Sequence, residues 1–469
     1  MLHPDKKILS RDGLGLSEII SRQQQFFRNG KSLAPSFRKD QLSRLLKSVQ
    51  RHEPAILDAV KQDLGKPELE AYFAEVGMVY GEIKYHMKNL EKWSRRKRVM
   101  TPVTVKPAQS YIYHQPKGQV LIIGPWNYPI QLMLIPMIGA IAAGNTIVLK
   151  PSEMTPSSSE LLAKIIEETF TSDYVALFEG GAEVSQELLV SPWDHVFFTG
   201  STNVGRSVAI AAAKTLSPVT LELGGKSPCI VTARANLKVA AKRLVSGKFF
   251  NVGQTCVAPD YLLVESSVKD DFLKILESEL LRAYGSDPQK SSDLGRIVNE
   301  QHFKRLSDLL QSGKTFVGGQ VDAKERYIAP TILTDVTWDD AVMAGEIFGP
   351  ILPVITFNSL EKVVDDLQGR DRPLALYIFT EDSKESDSCL NNLIYGGGCV
   401  NDTVIQLANH NLPFGGTGTS GYGAYHGKKS FETFSHEKSI LKNTTKIDLP
   451  VRYPPYTSWK SKVMRFLLS

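Results

Sequence analysis

The chain has 469 residues, of which 42% are hydrophobic and 22% charged, close to the average of soluble globular proteins. This composition excludes a disordered, collagen-like or fibrous chain, and the length allows two or three domains with a large buried core. The 55 basic and 50 acidic side chains leave a net charge of +5, which over this length is too dilute to indicate nucleic-acid binding.

The cysteines and the N-terminal residues indicate a reducing compartment. Cys229, Cys256, Cys389 and Cys399 are too few for a disulfide framework, and none has the C-x-x-C spacing of a zinc site or redox pair. Residues 1–12 carry charges and no apolar run, so we expect neither a secretory signal nor a membrane anchor there. We therefore expect a cytoplasmic protein that binds neither nucleic acid nor metal.

In chain order, the first predicted layer is helical. Between residues 17 and 98 apolar side chains recur at helical spacing, for example at Leu42 and Leu45. Residues 103–116 then read as an extended strand, rich in β-branched and aromatic side chains, which we expect to form an arm before the core. The stretch 120–144 is long and apolar enough for a membrane span, but three prolines interrupt it. It therefore predicts a buried strand, a turn and a core helix.

The centre of the chain predicts a parallel sheet. Five short apolar runs end in Gly or Pro, and each is followed by a helical stretch. They span residues 119–124, 146–151, 174–180, 195–200 and 219–224. Strands separated by helices form βαβ crossovers, and ligands bind beyond the carboxyl ends of such strands. A second α/β region follows at 226–432, and about 37 residues form a tail.

Two of the run ends carry polar motifs that suit a nucleotide. The segment that begins at Gly200 differs from the G-x-x-x-x-G-K-[ST] phosphate-binding loop only by Arg206 at the lysine position. A nucleotide hydrolase also needs an acidic metal ligand at the end of another strand, and none of the runs ends in one, which disfavours that function. The segment can still hold a phosphate at a helix N-terminus, or be a plain strand-to-helix turn. Lys150 and Glu153 follow the second run, where they reach ribose hydroxyls or form a solvated turn. A G-x-G-x-x-G fingerprint after a strand is absent, so any dinucleotide is bound in another way.

Three residues are candidates for covalent chemistry. Cys256 lies among small and polar residues and is either a nucleophile or a small buried hydrophobe. Glu222 interrupts the fifth apolar run shortly before its closing glycines and is either a desolvated general base or an exposed glutamate. Asn127 offers an amide donor to an oxyanion, or simply forms a proline-flanked turn. The nine histidines lack H-E-x-x-H spacing, which disfavours zinc hydrolysis, while a Cys/His hydrolase using His195 or His426 stays open.

Seven stretches of the sequence resemble motifs of the aldehyde dehydrogenase superfamily and occur in the order that they have in that family. The resemblance covers nearly the whole chain. They are Gly124-Pro-Trp-Asn-Tyr-Pro129, Lys150-Pro-Ser-Glu153, Phe198-Thr-Gly-Ser-Thr202, Leu221-Glu-Leu-Gly-Gly-Lys-Ser-Pro228, Gly253-Gln-Thr-Cys256, Glu346-Ile-Phe-Gly-Pro350 and Pro413-Phe-Gly-Gly416. Cys256-Val-Ala-Pro-Asp-Tyr261 and Arg452-Tyr-Pro-Pro455 are similar to the class 3 branch, which includes fatty and aromatic aldehyde dehydrogenases.

The resemblance implies a role for each candidate. Cys256 attacks the aldehyde as a thiolate, and the Asn127 amide and the Cys256 backbone N–H hold the oxyanion. Glu222 activates the water that hydrolyses the thioester. The implied cofactor is NAD, because Glu153 is expected to repel a 2′-phosphate, although NADP stays open. The implied cofactor-binding residues are Trp126, Lys150, Glu153, Gly200, Ser201, Gly205, Glu346 and Phe348. Gly345 departs from the family, which commonly has a second acid there.

The resemblance also implies an α/β, aldehyde dehydrogenase-like fold and a homodimer. The expected parts are a Rossmann-type parallel-sheet cofactor domain (1–100 and 118–222), an α/β catalytic domain (223–431), a dimerisation β-arm (101–117 and 432–455) and a C-terminal tail helix (456–469). The tail has an apolar face of Trp459, Val463, Phe466 and Leu467 with basic neighbours. We expect it to pack on the dimer; covering the substrate funnel or contacting an anionic membrane surface are alternatives.

The expected activity is NAD(P)-dependent oxidation of hydrophobic aldehydes, medium- or long-chain aliphatic or aromatic, to carboxylic acids. One alternative is an acyl-transferring or reductive relative that passes the thioester to coenzyme A, which the retained Glu222 disfavours. Another is a catalytically silent structural protein of the same fold, which the joint retention of Cys256, Glu222 and Asn127 disfavours.

Overall fold

The computed structural model describes residues 8–468. Residues 1–7 of the N-terminal segment, for which we expect neither signal nor anchor, lie outside that range, as does Ser469 of the tail. The helices within it are α1 (Leu16–Arg28), α2 (Pro35–Leu64), α3 (Glu68–Ala71), α4 (Met78–Ser94), α5 (Gln131–Ala143), α6 (Pro156–Thr169), α7 (Ala182–Leu188), α8 (Thr202–Lys214), α9 (Leu237–Phe249), α10 (Lys269–Tyr284), α11 (Glu300–Leu309), α12 (Leu360–Gln368), α13 (Ser383–Asn392), α14 (Gly427–Thr433) and α15 (Ser458–Leu468).

The strands form two large sheets and two small ones. They are β1 (Lys97–Val99), β2 (Gln109–Pro116), β3 (Gln119–Ile123), β4 (Thr146–Lys150), β5 (Val175–Leu177), β6 (His195–Thr199), β7 (Val219–Glu222), β8 (Pro228–Val231), β9 (Tyr261–Glu265), β10 (Lys314–Val317), β11 (Val321–Asp322), β12 (Tyr327–Ile328), β13 (Thr331–Thr334), β14 (Ile351–Phe357), β15 (Ala375–Phe379), β16 (Gly397–Val400), β17 (Gly421–Tyr422) and β18 (Ser435–Lys442).

The five apolar runs become β3 to β7 of the first sheet, whose order is β17-β7-β6-β3-β4-β5. Strands β3 to β7 pair in parallel with one another and are almost wholly buried, as expected where helices cover both faces of a sheet. The expectation of a parallel α/β sheet is therefore confirmed. The edge strand β17 pairs antiparallel with β7 and arrives from far along the chain, which the sequence pattern does not indicate.

The apolar stretch 120–144 folds as expected into β3, a turn and the core helix α5. Every residue of α5 is buried, including Pro136, which lies inside the helix. Such a helix is apolar on all sides because it is surrounded by α2, α4 and α14 as well as the sheet. Across residues 8–468, no helix combines the length and apolar character needed to cross a membrane.

The second sheet carries the segment that holds Cys256. Its order is β10-β13-β14-β9-β8-β15-β16, and all neighbours are parallel except β10 with β13. After α9 the chain makes a tight turn through Asn251 and Val252, whose φ angles of 49° and 56° are unusual for side-chain-bearing residues. Cys256 follows this turn and precedes β9, a strand in the middle of the sheet.

The arm is a three-stranded antiparallel sheet in the order β1-β2-β18. The strand expected at 103–116 is shorter than predicted, because only β2 is extended and Val103–Val105 form a single helical turn. Pro102 and Pro107, on either side of this turn, lack the N–H that a strand ladder needs. The four-part domain division stays a prediction. The structure adds that β17 and α14, at the end of the expected catalytic domain, pack on β7 and α5.

Candidate active site

A cavity of about 960 Å³ lies where the ends of β6 and β7 face the loops of the second sheet. This volume is at the upper end of the range for ligand sites. Its walls include most of the residues singled out in the sequence, namely Trp126, Asn127, Gly200, Ser201, Glu222, Cys256, Glu346 and Phe348. Lys150, Glu153 and Gly205 are not among the lining residues.

Glu222 is the last residue of β7 and is 2% exposed, so the exposed-glutamate alternative is wrong. Among residues 8–468, neither carboxylate oxygen finds a hydrogen-bond partner. Burial raises the pKa of Glu222 well above its ordinary value, because removal from water disfavours the charged form. Glu222 therefore has the environment of a desolvated base that faces an open space.

The Cys256 thiol lies in the same cavity and is half-buried. Burial raises the pKa of this thiol above its ordinary value, and the neighbouring charges of Glu346 and Glu222 raise it further. The structure therefore holds a neutral thiol that has to lose its proton before it can attack. Cys229 and Cys389 are fully buried, whereas the half-buried Cys399 donates from Sγ to Gln406 Oε1 over 2.9 Å.

Asn127 lies in the turn between β3 and α5 and is buried. Its side-chain Nδ2 donates to the carbonyl oxygen of Gln254 over 3.1 Å, which brings the amide to the segment that carries Cys256. The backbone carbonyl oxygen of Asn127 accepts a hydrogen bond from Lys66 Nζ at 3.1 Å and another from Asn251 Nδ2 at 2.9 Å. Long-range contacts on both sides therefore hold Asn127 in place.

Glu346 lies against the backbone that follows β7. A Cβ built on Gly224 would be 1.9 Å from Glu346 Oε2, so only glycine leaves room for this carboxylate. Burial, reinforced by Asp260, raises the pKa of Glu346 to about 8. A Cβ on Gly345 would meet nothing within 4 Å, so the family's second acid would fit there, and its absence removes no packing contact.

The segment after β6 offers backbone to an anion. Ser201 caps α8 by accepting from Val204 N over 3.4 Å, and Gly200 precedes it at the cavity wall. Gly205 has a packing role instead, since a Cβ there would lie 2.4 Å from Leu223 Cδ2. At the end of β4, the ammonium of Lys150 contacts the half-exposed carboxylate of Glu153 over 2.8 Å.

The cavity also contains residues that the sequence did not indicate. His302 and Arg305 of α11 line it, and the His302 ring lies 5.2 Å from that of Trp126. Arg305 donates to the carbonyl oxygen of Ile347 over 2.7 Å and so supports the loop that holds Glu346. In the sequence these residues read as the polar face of an exposed helix, and no motif connects α11 with Cys256.

The side chains and backbone that line the cavity are suited to binding a dinucleotide. The lining includes the cations Arg206, Lys226, Arg305, Arg370 and Arg372, a suitable donor set for phosphates. The helix N-terminus at Ser201 and the glycine backbone at Gly224 allow close approach, and Glu222 leaves two buried acceptors unused. Among the described residues, no group of three or more His, Cys, Asp or Glu side chains could hold a metal ion.

The fold and this cavity define a class of protein, a dinucleotide-dependent oxidoreductase with a thiol beside its cofactor cavity. The model of the aldehyde dehydrogenase family matches residues 15–440, and the chain belongs to this family. It is an enzyme that oxidises aldehydes with NAD or NADP, and its resemblance to the family and the α/β fold are confirmed.

Relatives cover almost the full length. The 4,4′-diaponeurosporen-aldehyde dehydrogenase of Staphylococcus aureus is 50% identical over 92% of this chain and 94% of its own. The dimeric NADP-preferring aldehyde dehydrogenase of the dog, Canis lupus familiaris, is 44% identical over 94% and 98%. A structure described as the substrate-bound state of Staphylococcus aureus AldH has a TM-score of 0.95 and 48% identity, covering 97% of this chain and 99% of its own.

Proposed function

We propose that this enzyme oxidises hydrophobic aldehydes, aliphatic of medium or long chain or aromatic, to carboxylic acids. Cys256 is the nucleophile, Asn127 an oxyanion donor and Glu222 the base for hydrolysis. One observation carries this assignment: the desolvated, unpartnered carboxylate of Glu222 lines the same cavity as the Cys256 thiol and Asn127.

The proposed reaction uses these side chains in sequence. Glu222 takes the proton of Cys256 and releases it to solvent, and the thiolate sulfur bonds to the aldehyde carbon, which places negative charge on the aldehyde oxygen. The Asn127 amide and the Cys256 backbone N–H stabilise that charge. NAD or NADP, when bound, supplies the acceptor for the hydride that leaves the same carbon. Glu222 then takes a proton from water, the resulting hydroxide attacks the thioester, and the carboxylic acid leaves as the Cys256 thiol is restored.

The hydrophobic substrate class rests on an apolar surface next to Cys256. Ala74, Tyr128 and Leu132 form a small buried cluster that packs against Phe250. The Phe73 ring is 51% exposed and meets the ring of Phe250 edge-on at 6.5 Å, which extends this surface to solvent. The Tyr128 hydroxyl forms a hydrogen bond of 2.6 Å with Thr255, the residue before Cys256, and Leu132 lines the cavity, so this cluster lies beside the segment that carries the thiol. The Staphylococcus aureus relative is named for a diaponeurosporen aldehyde, which supports the same class.

For the cofactor, Gly200 and Ser201 would hold the pyrophosphate, and Lys150 and Glu153 would contact the adenosine ribose. Glu346, Trp126 and Phe348 would hold the nicotinamide end. Gly205 supports the pyrophosphate segment through packing. NAD is the preferred cofactor because the Glu153 carboxylate repels a 2′-phosphate.

For the assembly, we propose a homodimer joined through the arm, in agreement with the name of the dog relative. Leu441, Ile447 and Leu449, in and after β18, are each about half exposed in the single chain. Contacts within the chain leave much of the apolar face of α15 in solvent: Lys460 points inward and donates to the Tyr453 carbonyl oxygen, while Trp459 is 52% exposed. We propose that this face packs within the dimer, in a cytoplasmic protein.

The experiment that tests the activity follows absorbance of the reduced nicotinamide. Purified enzyme meets aldehydes from C2 to C16 and benzaldehyde, with NAD or NADP, beside Cys256→Ser and Glu222→Gln. We expect turnover that rises with aldehyde hydrophobicity, no turnover in Cys256→Ser, and in Glu222→Gln a single burst with steady turnover reduced about 100-fold or more. Turnover of Glu222→Gln restored by coenzyme A would instead indicate an acyl-transferring enzyme. No turnover with any pair, despite cofactor binding, would indicate a silent protein.

A further inference from the structure

A fully buried ion pair lies behind the turn that carries Asn127. Lys66 follows α2, and Glu75 lies in a π-helical turn (Tyr72–Gly77) between α3 and α4. Lys66 Nζ and Glu75 Oε1 are 2.8 Å apart, and both side chains are 0% exposed. π-Helical turns are rare in proteins, and those that occur are often found at functional sites, which suggests a functional role for this pair.

The pair makes direct contacts with the Asn127 turn. Lys66 Nζ donates to the carbonyl oxygen of Asn127 over 3.1 Å and lies 4.1 Å from the centre of the Tyr128 ring. Glu75 Oε2 accepts from the backbone N–H groups of Ile130 and Gln131 at 3.2 and 2.9 Å. The ion pair therefore binds both ends of the turn that leads from Asn127 into α5.

The same layer holds the segment on the other side of the cavity. Glu70 Oε1 accepts from the backbone N–H of Asn251 over 2.7 Å. Asn251, at a φ of 49°, donates from Nδ2 to the carbonyl oxygens of both Asn127 and Gln254. Because Asn127 Nδ2 also donates to Gln254, the two segments that carry the proposed oxyanion donors are joined by their backbone carbonyls.

Stability alone does not explain a buried ion pair at this place. Desolvation of two charges offsets much of their attraction, and well-packed apolar residues of similar volume often serve the fold as well or better. What apolar side chains could not provide is the set of directed bonds to Asn127, Ile130 and Gln131. The geometry of those bonds, rather than the attraction between the charges, is the distinctive contribution of the pair.

We propose that Lys66 and Glu75 are positioning residues that hold the Asn127 amide at its distance from the Cys256 N–H, so that both donors meet the same developing oxyanion. Neither residue touches the substrate; they act through Asn127. This inference rests on the proposed roles of Asn127 and Cys256.

A double-mutant cycle tests it. The double variant Lys66→Met/Glu75→Gln removes the ion pair without leaving a buried unpaired charge, and is made with Asn127 intact and with Asn127→Ala. The readout is the rate of the first turnover in single-turnover mixing with saturating NAD and aldehyde. We expect a loss of about 20-fold with Asn127 present and of less than about 3-fold in Asn127→Ala, with NAD affinity unchanged within about 2-fold. Equal losses in both backgrounds would overturn the proposal, since they would indicate support of the fold only.

A matched control is Lys117→Met, which removes another partly buried ammonium, one that contacts His195 and neither of the two segments. It should keep the first turnover within about 2-fold. If the double variant fails to fold, Lys66→Gln/Glu75→Gln, which also leaves no buried unpaired charge, takes its place in the same cycle, with the same criterion for rejection.

A second readout does not depend on activity. Backbone hydrogen exchange of peptides covering 127–133 and 250–256 reports the N–H groups that bond to Glu75 and Glu70. We expect both peptides to exchange at least about 10-fold faster in the double variant, and we expect their exchange rates to be unchanged in Lys117→Met. Absence of turnover in the unaltered enzyme would reject the proposed function, whereas unchanged exchange in both peptides would by itself reject the positioning role.

Discussion

The burial that suits Glu222 to act as a base also lowers the free energy of unfolding of the protein. A carboxyl group whose pKa is raised by burial keeps its proton in the folded state after the unfolded chain has released it. As pH rises above the ordinary carboxyl pKa, the unfolded state is stabilised relative to the folded one, so the free energy of unfolding falls until the folded pKa is passed. A glutamine at this position has no such titration.

We therefore expect Glu222→Gln to be more stable than the unaltered protein. The gain should be near zero at about pH 4 and should increase steadily toward pH 8, because only the unaltered protein has a buried carboxyl group whose pKa is raised on folding. Thermal unfolding of both proteins at four pH values between 4 and 8 measures this. A gain that is the same at every pH would show that desolvation of the carboxylate is not its cause.

Glu346 predicts a pH dependence of cofactor binding. Because burial raises the pKa of Glu346 to about 8, the carboxylate that we propose as an acceptor for ribose hydroxyls forms as pH rises through that value. We expect NAD affinity to increase about 3- to 10-fold between pH 6.5 and 9, and this rise to be absent in Glu346→Gln. Quenching of tryptophan fluorescence reports binding, since Trp126 lines the cavity. An identical rise in the variant would exclude Glu346 as the titrating group.

Glu153 predicts the choice between cofactors. Its half-exposed carboxylate is held beside Lys150, so removing its charge should relieve repulsion of a 2′-phosphate and leave the lysine free to attract one. We expect Glu153→Gln to shift the ratio of kcat/KM for NAD over NADP by about 10-fold toward NADP. The check is steady-state kinetics with one aldehyde and both cofactors; a constant ratio would place the discriminating contact elsewhere.

At the scale of elements, helix α8 packs closely against Leu223, the residue after β7, so a larger side chain at position 205 would have to displace this leucine. A Cβ on Gly205 would lie 2.4 Å from Leu223 Cδ2, and Leu223 adjoins Glu222. The glycine of this phosphate-loop-like segment therefore sets the distance between a helix and the strand that ends in the proposed base.

We expect Gly205→Ala to displace α8 and to lower the free energy of unfolding by about 1 to 3 kcal/mol, as overpacking does. Gly397→Ala is the matched control: a Cβ on Gly397 in β16 meets nothing within 4 Å, and its effect should stay within about 0.5 kcal/mol. Chemical denaturation of both variants gives the comparison. Equal stabilities would show that Leu223 moves aside without strain.

Elements with a local signal were predictable from the sequence, and elements without one were not. Strands β3 to β7 are visible because burial on both faces requires continuous apolar runs. Strand β17 has only two residues, so no periodicity can indicate it. The cavity residues with compact motifs, such as Cys256 and Glu222, were predictable for the same reason. Lys66 lies in the short loop between α2 and α3, and His302 lies in an ordinary helix; neither belongs to a motif, and only the tertiary fold brings them to the site.

At the scale of the whole molecule, the arm projects apolar side chains that the chain itself does not cover. If the arm joins two subunits, charges placed there should separate them. We expect Leu441→Lys/Leu449→Lys to reduce the mass in solution from twice 52.0 kDa to 52.0 kDa. Leu281→Lys, at an equally exposed leucine of α10, is the control. Light scattering after size exclusion measures the mass, and a dimer that persists in the arm variant would exclude this interface.

Helix α5 has a consequence for how the protein is made. Helix α14 packs against α5. Asn145, just beyond α5, donates from Nδ2 to the backbone carbonyl oxygen of Phe434, which lies 289 residues further along the chain. At about 5 to 20 residues per second, a ribosome needs roughly 15 to 60 s to cover that distance. Throughout this time the nascent chain carries α5, which is apolar apart from Gln131, without its final cover, and such a segment is a natural binding site for chaperones. Premature termination before α14 would release a fragment prone to aggregation, so quality control of this enzyme depends on completing almost the entire chain.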